Sequence, residues 1–332
     1  MMKPSLLLTD PSPCLRYKIL SNMSDPDKDE LNELDLERKN DPILKSILDL
    51  QNSDGSFRIS DRTAPTSIIQ STSIALTMIA YLGFDYKMDE VQKAVNYLMA
   101  KQQTDGSWSY EGEEYDMVPL QTAFPLWGIS SVGKSLDPQL KKSYDWLLSK
   151  QLADGAWPVG TVYGNFGYIA GYRKLPNSKN GCRVNTTCAL LALTNHPKLK
   201  KDPRVLKAAD VLLGRRTIER HSMGINIARC LGVEKSSGFF SYFAAHDIAL
   251  VLSIIAKIGI NGEDPRVNEI EKTVRGFQNK FGLIEYEKSP IVTHWLTYDI
   301  NNYLSIIDSS SVFIHKIPDF AFKGYQKNNK FI

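Results

Sequence analysis

Two carboxylates stand in places where a carboxylate is costly. His246-Asp247 opens one apolar stretch and Tyr298-Asp299 lies inside another. An ionised side chain taken out of water must be paired or must shift its proton affinity. Either Asp could therefore hold a proton as a general acid, or serve as a metal ligand, with His246 to tune or orient it. Aligned by their first turns, five apolar segments place Ser71-Thr72, Gln121-Thr122, Thr186-Thr187, His246-Asp247 and Tyr298-Asp299 in one column. Helix N-termini gathered at one mouth would present N–H groups and dipoles to an anion. Ser, Thr and Asp also cap helices, and that alone is enough to account for the Thr members.

The elements that hold this column follow from a repeat. Gln51-Asn-Ser-Asp-Gly-Ser-Phe57, Gln102-Gln-Thr-Asp-Gly-Ser-Trp108 and Gln151-Leu-Ala-Asp-Gly-Ala-Trp157 share the pattern Q-x-x-D-G-[SA]-[WF]. A faded copy lies at Gln278-Asn-Lys-Phe-Gly-Leu-Ile284, and an almost erased one near Arg216. Asp137-Pro138, Asp202-Pro203 and Asp264-Pro265 each precede the Gln or its equivalent by 14 residues, about four helical turns. Asp is a good N-cap and Pro suits the first helical position. Asp41-Pro42 starts a similar, shorter helix. Asp-Gly then ends the helix, because Gly accepts the left-handed conformation.

Downstream of each turn the spacing predicts a second helix, over 68–82, 118–131, 184–195, 242–258 and 295–307. These segments are apolar nearly all round and should be buried on both sides. The first helices carry one apolar stripe between Lys and Glu, as in Val91-Gln-Lys-Ala-Val-Asn-Tyr-Leu98, and should keep one wet face. The pattern predicts an all-α fold of two concentric helical layers in about six hairpins. Closure into an α/α toroid is favoured over an open solenoid, which needs no fully apolar inner layer. The toroid is expected over 41–310, after a helical arm at 1–40 and before a basic tail at 311–332. Loops at 158–180 and 219–237 read as rim loops rather than linkers.

Composition excludes several classes. The chain has 332 residues, 42% of them hydrophobic, with 40 basic against 37 acidic side chains. That apolar content excludes general disorder. The balanced charge lacks the basic excess of a dedicated nucleic-acid binder. The longest apolar run, 248–260, contains Lys257 and is too short to span a bilayer. The N-terminal Leu patch is too brief for a secretory signal. Cys14, Cys182, Cys188 and Cys230 are sparse and irregularly spaced, so no disulfide framework is expected and a reducing, cytoplasmic location is the default.

The three Gln–Asp–Gly–aromatic copies resemble the QW motif of the terpenoid cyclase and protein prenyltransferase superfamily, which includes squalene–hopene cyclases and prenyltransferase β subunits. Asp10-Pro-Ser-Pro-Cys-Leu-Arg-Tyr-Lys-Ile19 and Trp295-Leu-Thr-Tyr-Asp299 resemble segments of a prokaryotic branch of it. The resemblance covers about 41–310 and implies an α/α toroid and an isoprenoid small molecule in a central apolar cavity. It implies no nucleic acid, and leaves open a protein partner and a peripheral membrane contact.

The family's catalytic signatures are missing. No D-x-D-D occurs, and the nearest text to D-D-x-x-D is Asp25-Pro-Asp-Lys-Asp29-Glu30 in the arm. The prenyltransferase likeness implies a zinc site with Cys188 and His246 as ligands and Asp247 as a substitute, although Thr186 stands where the family has Asp. A buried Cys188 acting as a small hydrophobe is the other reading. No cofactor is otherwise required. On the expected inner helices Phe124, Trp127, Phe243, Trp295 and Tyr298 could face a carbocation or simply pack the core. Arg173, Lys174, Arg183, Arg215, Arg216 and Arg220 could receive a diphosphate or stand solvated at the rim. The acidic runs Glu111, Glu113, Glu114, Asp116 and Glu285, Glu287 could supply an acid or be loops.

The resulting expectation is an isoprenoid-acting enzyme of the cyclase or prenyltransferase type. Asp247, Asp299 and His246 are its candidate catalytic residues, and Phe124, Trp127, Tyr298 and Arg183 its candidate substrate contacts. The alternatives are a polyprenyl-lipid binder without turnover and a repeat scaffold for a protein partner.

Overall fold

The computed structural model describes residues 4–58, 68–109, 119–158, 181–214, 222–234 and 246–314. In chain order its helices are α1 (Pro4–Leu7), α2 (Pro13–Ser21), α3 (Lys28–Glu37), α4 (Pro42–Leu48), α5 (Ile68–Tyr81), α6 (Asp89–Ala100) and α7 (Pro119–Ile129). There follow α8 (Lys141–Ser149), α9 (Arg183–Thr194), α10 (Pro203–Leu213), α11 (Ile225–Cys230), α12 (Ile248–Ile258), α13 (Pro265–Gly276) and α14 (Pro290–Asp308). Isolated β-bridges occur, but no sheet forms among the described residues. No described helix is long and apolar enough to cross a membrane.

The Asp-Pro pairs start helices as their chemistry requires. Asp41, Asp202 and Asp264 cap α4, α10 and α13, each accepting the N–H two residues on. Asp137 caps a short 3-10 turn that leads into α8. The next turns are stapled in a repeated way. The Gln51 amide donates to the Gly55 carbonyl (3.1 Å) and to the Glu90 carbonyl on α6 (2.8 Å). Gln151 does the same to Gly155 (2.8 Å) and to Arg204 on α10 (2.9 Å). The Trp108 and Trp157 indoles fold back onto the Leu98 and Leu147 carbonyls (2.8 and 2.7 Å). Gly106 has φ +90°, and a Cβ there would come within 2.5 Å of the Lys142 carbonyl carbon on the neighbouring helix. That position needs glycine twice over, for its backbone angle and for its space.

After each turn the chain enters an inner helix. The Phe57, Trp108 and Trp157 amides donate to the hydroxyls of Thr72, Thr122 and Thr186 (2.9, 3.2 and 3.0 Å). The faded copy keeps this bond, from the Ile284 amide to Thr297 (2.9 Å). The true column is therefore Thr72, Thr122, Thr186 and Thr297, and Asp299 sits two residues beyond it rather than in it. The Thr members brace turns. In the fourth inner helix, expected from 242, the helix proper begins at Ile248 because Asp247 caps it.

Helices α5, α7, α9, α12 and α14 form the inner layer. Every residue of α7 and α9 is buried. α7 packs between α5 and α9, α9 against α12, and α12 against α14. The ring closes where α5 meets α14: the Tyr81 and Trp295 rings lie 5.0 Å apart, and the Tyr81 hydroxyl donates to Asp299 (2.7 Å). Outside lie α4 and α6 on α5, α8 on α7, and α10 on α9 and α12. The fold is an α/α toroid. The N-terminal arm packs on its wall: α2 reaches α14 through Lys18 and Asp299, and Asn22 bonds to the Tyr298 hydroxyl.

Candidate functional site

A cavity of about 270 Å³ lies at the centre of the ring, lined from α2, α5, α7, α9, α11, α12 and α14. Lys18, Tyr81, Asn195, Asn226, Lys257 and Tyr303 contribute to its polar surface, beside the hydroxyls of Thr77, Ser131 and Ser253. Tyr81 and Tyr303 are half-buried at this space, and Lys257 is exposed at its rim.

Asp299 lies directly behind the cavity wall, where Lys18 and Tyr81, which do line the cavity, meet it. It is 1% exposed. One carboxylate oxygen receives the Lys18 ammonium at 2.7 Å and the other the Tyr81 hydroxyl at 2.7 Å, and Tyr303 lies close enough to feel the Asp299 charge. Burial, and then the Asp299 charge, push both phenols well above the usual tyrosine range, so they remain donors. The positions come from helical geometry: Trp295, Asp299 and Tyr303 recur every four residues along one face of α14. The Lys18 ammonium also lies over aromatic faces, 4.4 Å from the Tyr81 centroid, 5.3 Å from Trp295 and 5.6 Å from Tyr298.

Asp247 occupies a different setting. It caps α12 through the Ala249 amide (3.0 Å) and binds the Gly224 and Asn226 amides at the start of α11 (2.9 and 2.7 Å). Burial pushes its carboxyl up to about 6, against the pull of those backbone donors. Asp247 thus holds α11 against α12 and lies behind the cavity wall. His246 is buried beside it, and its carbonyl accepts the Ser222 amide (3.2 Å).

The remaining predicted contacts divide. Trp127 lines the cavity. Phe124 packs behind it, ring centroids 6.3 Å apart. Tyr298 faces the arm: its hydroxyl donates to the Lys18 carbonyl (3.0 Å), and its ring lines a separate cleft beside α2. Arg183 is buried and donates to the Leu212 carbonyl on α10 (3.3 Å), away from the cavity. The implied zinc site does not form. Among the described residues no three His, Cys, Asp or Glu side chains gather to hold a metal. Burial raises the Cys188 thiol well above its usual range, which opposes the thiolate a zinc ion needs. The acidic residues 111–116, Phe243, and the basic residues 173, 174, 215, 216 and 220 lie outside the described residues.

Lys18, Tyr81 and Lys257, which line the cavity, were not among the expected site residues. Lys257 did carry a signal, as the one charge in the apolar helix 248–258. Tyr303 carried another, one helical turn beyond Asp299.

A model of the squalene-hopene cyclase C-terminal domain matches residues 16–171 and 60–213, which together cover more than half of the chain. The chain belongs to this family. Within the family's toroid, Asp299 lies outside the matched residues and the Lys18 end of the arm lies inside them. Among solved structures, the chain is similar to the type II terpene cyclase MstE from Scytonema without ligand, at 15% identity and TM-score 0.49, over 80% of this chain and 75% of that one. A variant of that cyclase in complex with geranylgeranyl dihydroxybenzoate, named as its substrate, gives 15% and 0.48 over the same shares. A protein from Actinoplanes gives 13% and 0.46, over 89% of this chain and 88% of that one. No curated protein matches the chain.

Proposed function

We propose that this protein is an isoprenoid-acting enzyme of the cyclase type, which takes an acyclic polyprenyl or triterpene-like chain into the central cavity and closes rings on it through a carbocation. The observation that carries this reading is the setting of Asp299, a carboxylate inside a ring of apolar helices where an ammonium already lies against aromatic faces. A place that holds one cation between a carboxylate and π-faces has the electrostatics to hold another. Trp127 offers a further face across the cavity.

The starting proton comes from Asp299 in its neutral form. An ion pair uses the charged form, so the Lys18 contact opens before the proton is given. The proton adds to one C=C bond and leaves a carbocation, and a second C=C attacks it to form the ring bond. The final cation then loses a proton to water, which returns one to Asp299, and a neutral product isomeric with the substrate is left. An apolar substrate also implies contact with a membrane surface from which it is drawn.

Turnover in D₂O of squalene, geranylgeranyl diphosphate and geranylgeranyl dihydroxybenzoate tests the reading by mass spectrometry. A cyclic isomer carrying one new deuterium supports it, and recovery of every chain unchanged and unlabelled sinks it. A second reading, a polyprenyl binder without turnover, is favoured by the Lys18–Asp299 ion pair, which keeps the carboxylate from acting as an acid. A chain that co-purifies in stoichiometric amount and is never converted selects that reading.

A further inference from the structure

Resting on the reading of the cavity above, we propose that α2 is a movable strap between two spaces: when it parts from α14, the cleft beside the arm joins the central cavity, and one isoprenoid chain lies across both. Size is the first reason. A dry cavity of about 150 Å³ holds one benzene. On that scale the central cavity, at about 270 Å³, takes roughly ten carbons. That is a geranyl unit, and too little for a longer polyprenyl chain.

The missing space lies next to it. A cleft of about 490 Å³, room for roughly twenty carbons, is lined by Leu7, Ile19, Met23, Leu304 and the Tyr298 ring, beside neutral amides. Its two charged members, Arg275 and Asp308, are exposed, and Arg275 is already paired with Glu271 at 2.7 Å. An apolar chain suits this lining better than an ion does.

Helices α2 and α14 wall both spaces. On α2, Lys18 lines the cavity while Ile19 and Met23 line the cleft. On α14, Tyr303 lines the cavity while Tyr298 and Leu304 line the cleft. The bonds that hold this wall shut are polar. Lys18 meets Asp299 at 2.7 Å, the Tyr298 hydroxyl donates to the Lys18 carbonyl at 3.0 Å, and the Asn22 amide bonds to the Tyr298 hydroxyl. Water reaching a parted wall can take over such partners. α2 packs on α3 within the arm and carries that packing with it. Parting also withdraws Lys18 from Asp299. The movement that enlarges the space therefore frees the carboxylate, and only a chain long enough to need both spaces holds α2 away.

The test compares geraniol with geranylgeraniol, each supplied to the full chain from cyclodextrin. Nitroxide labels on Ser21→Cys and Ser309→Cys, both exposed, report the distance from α2 to α14 by pulsed electron paramagnetic resonance. The four native cysteines are buried and take no label. Geranylgeraniol is expected to shift the distance upward, and geraniol to bind without moving it. Ser305 lines the cleft and is exposed, so Ser305→Trp fills that space. It should weaken geranylgeraniol at least about tenfold, because about ten buried carbons are at stake, and leave geraniol unchanged. Geranylgeraniol bound at an unmoved distance overturns the proposal, as does an undiminished affinity in Ser305→Trp. Geraniol bound and geranylgeraniol refused overturns this proposal alone, whereas refusal of both sinks the isoprenoid reading with it. A distance shift in a protein that never closes a ring upholds the strap while the cyclase reading falls.

Discussion

The Lys18 ammonium lies 2.7 Å from the Asp299 carboxylate, across 281 residues of sequence. The contact joins the N-terminal arm to the last inner helix. Lys18 is about a quarter exposed and Asp299 1%, so the pair is screened on one side only. Lys18→Met leaves Asp299 with its Tyr81 donor and no counter-ion. Breaking a buried pair costs about 3–5 kcal/mol, and the partial exposure together with the remaining donor reduces this to about 2. Urea unfolding of Lys18→Met should show that loss, and the double variant Lys18→Met with Asp299→Asn should regain part of it. A midpoint unmoved by Lys18→Met would show the pair to be energetically idle.

Asp247 predicts a pH dependence. Its folded carboxyl titrates at about 6, above the roughly 3.9 of an unfolded chain. The folded state then binds the proton more tightly, so this group's contribution is most favourable below about pH 4 and declines as pH rises to about 6. The decline is at most about 3 kcal/mol. Asp247→Asn removes the titration. Its unfolding free energy should fall less between pH 4 and pH 7 than that of the unaltered protein, and parallel curves would contradict the assignment.

The turn glycines predict a contrast. Gly106 and Gly133 both have positive φ, +90° and +88°. A Cβ at Gly106 would strike the Lys142 backbone, whereas one at Gly133 meets nothing within 4 Å. Gly133→Ala should cost about 1 kcal/mol from backbone strain alone, and Gly106→Ala about 3 kcal/mol or more. Thermal unfolding of both would separate steric from conformational cost, and equal losses would show the close approach to be relieved cheaply.

The bond from the Trp157 amide to Thr186 gives a fourth prediction. Thr186→Val keeps the shape and leaves a buried N–H unpaired. The expected cost is about 1–3 kcal/mol, read from denaturant midpoints. Thr187→Val serves as the comparison, because the Thr187 hydroxyl only bonds back to Arg183 within its own helix.

Much of the fold was legible because its signals are local. Asp-Pro caps, Gln-to-aromatic turns and apolar inner helices each sit within a few residues, and the structure places them where the spacing put them. The fourth helix was misjudged at its start because Asp247 was counted inside it rather than as its cap. The column was misread at its last member, where Thr297, not Tyr298 or Asp299, does the work of Thr72. The site itself was only half legible. Asp299 stood out as a charge in an apolar helix, and Trp127 by its place on an inner helix. Lys18 could not be seen, because nothing local links an arm helix to a residue near the other end of the chain. Phe124 and Arg183 shared the composition of site residues but point into packing.

In the proposed reaction Asp299 starts ring closure in the cavity. The most direct measurement is product formation by the unaltered protein and by Asp299→Asn, from the same panel of acyclic isoprenoids, followed by mass spectrometry. A cyclic isomer is expected from the unaltered protein and a loss of at least about a hundredfold in Asp299→Asn, the scale of a positioned general acid, with the isoprenoid still bound. An Asp299→Asn variant that cyclises as fast as the unaltered protein would contradict it.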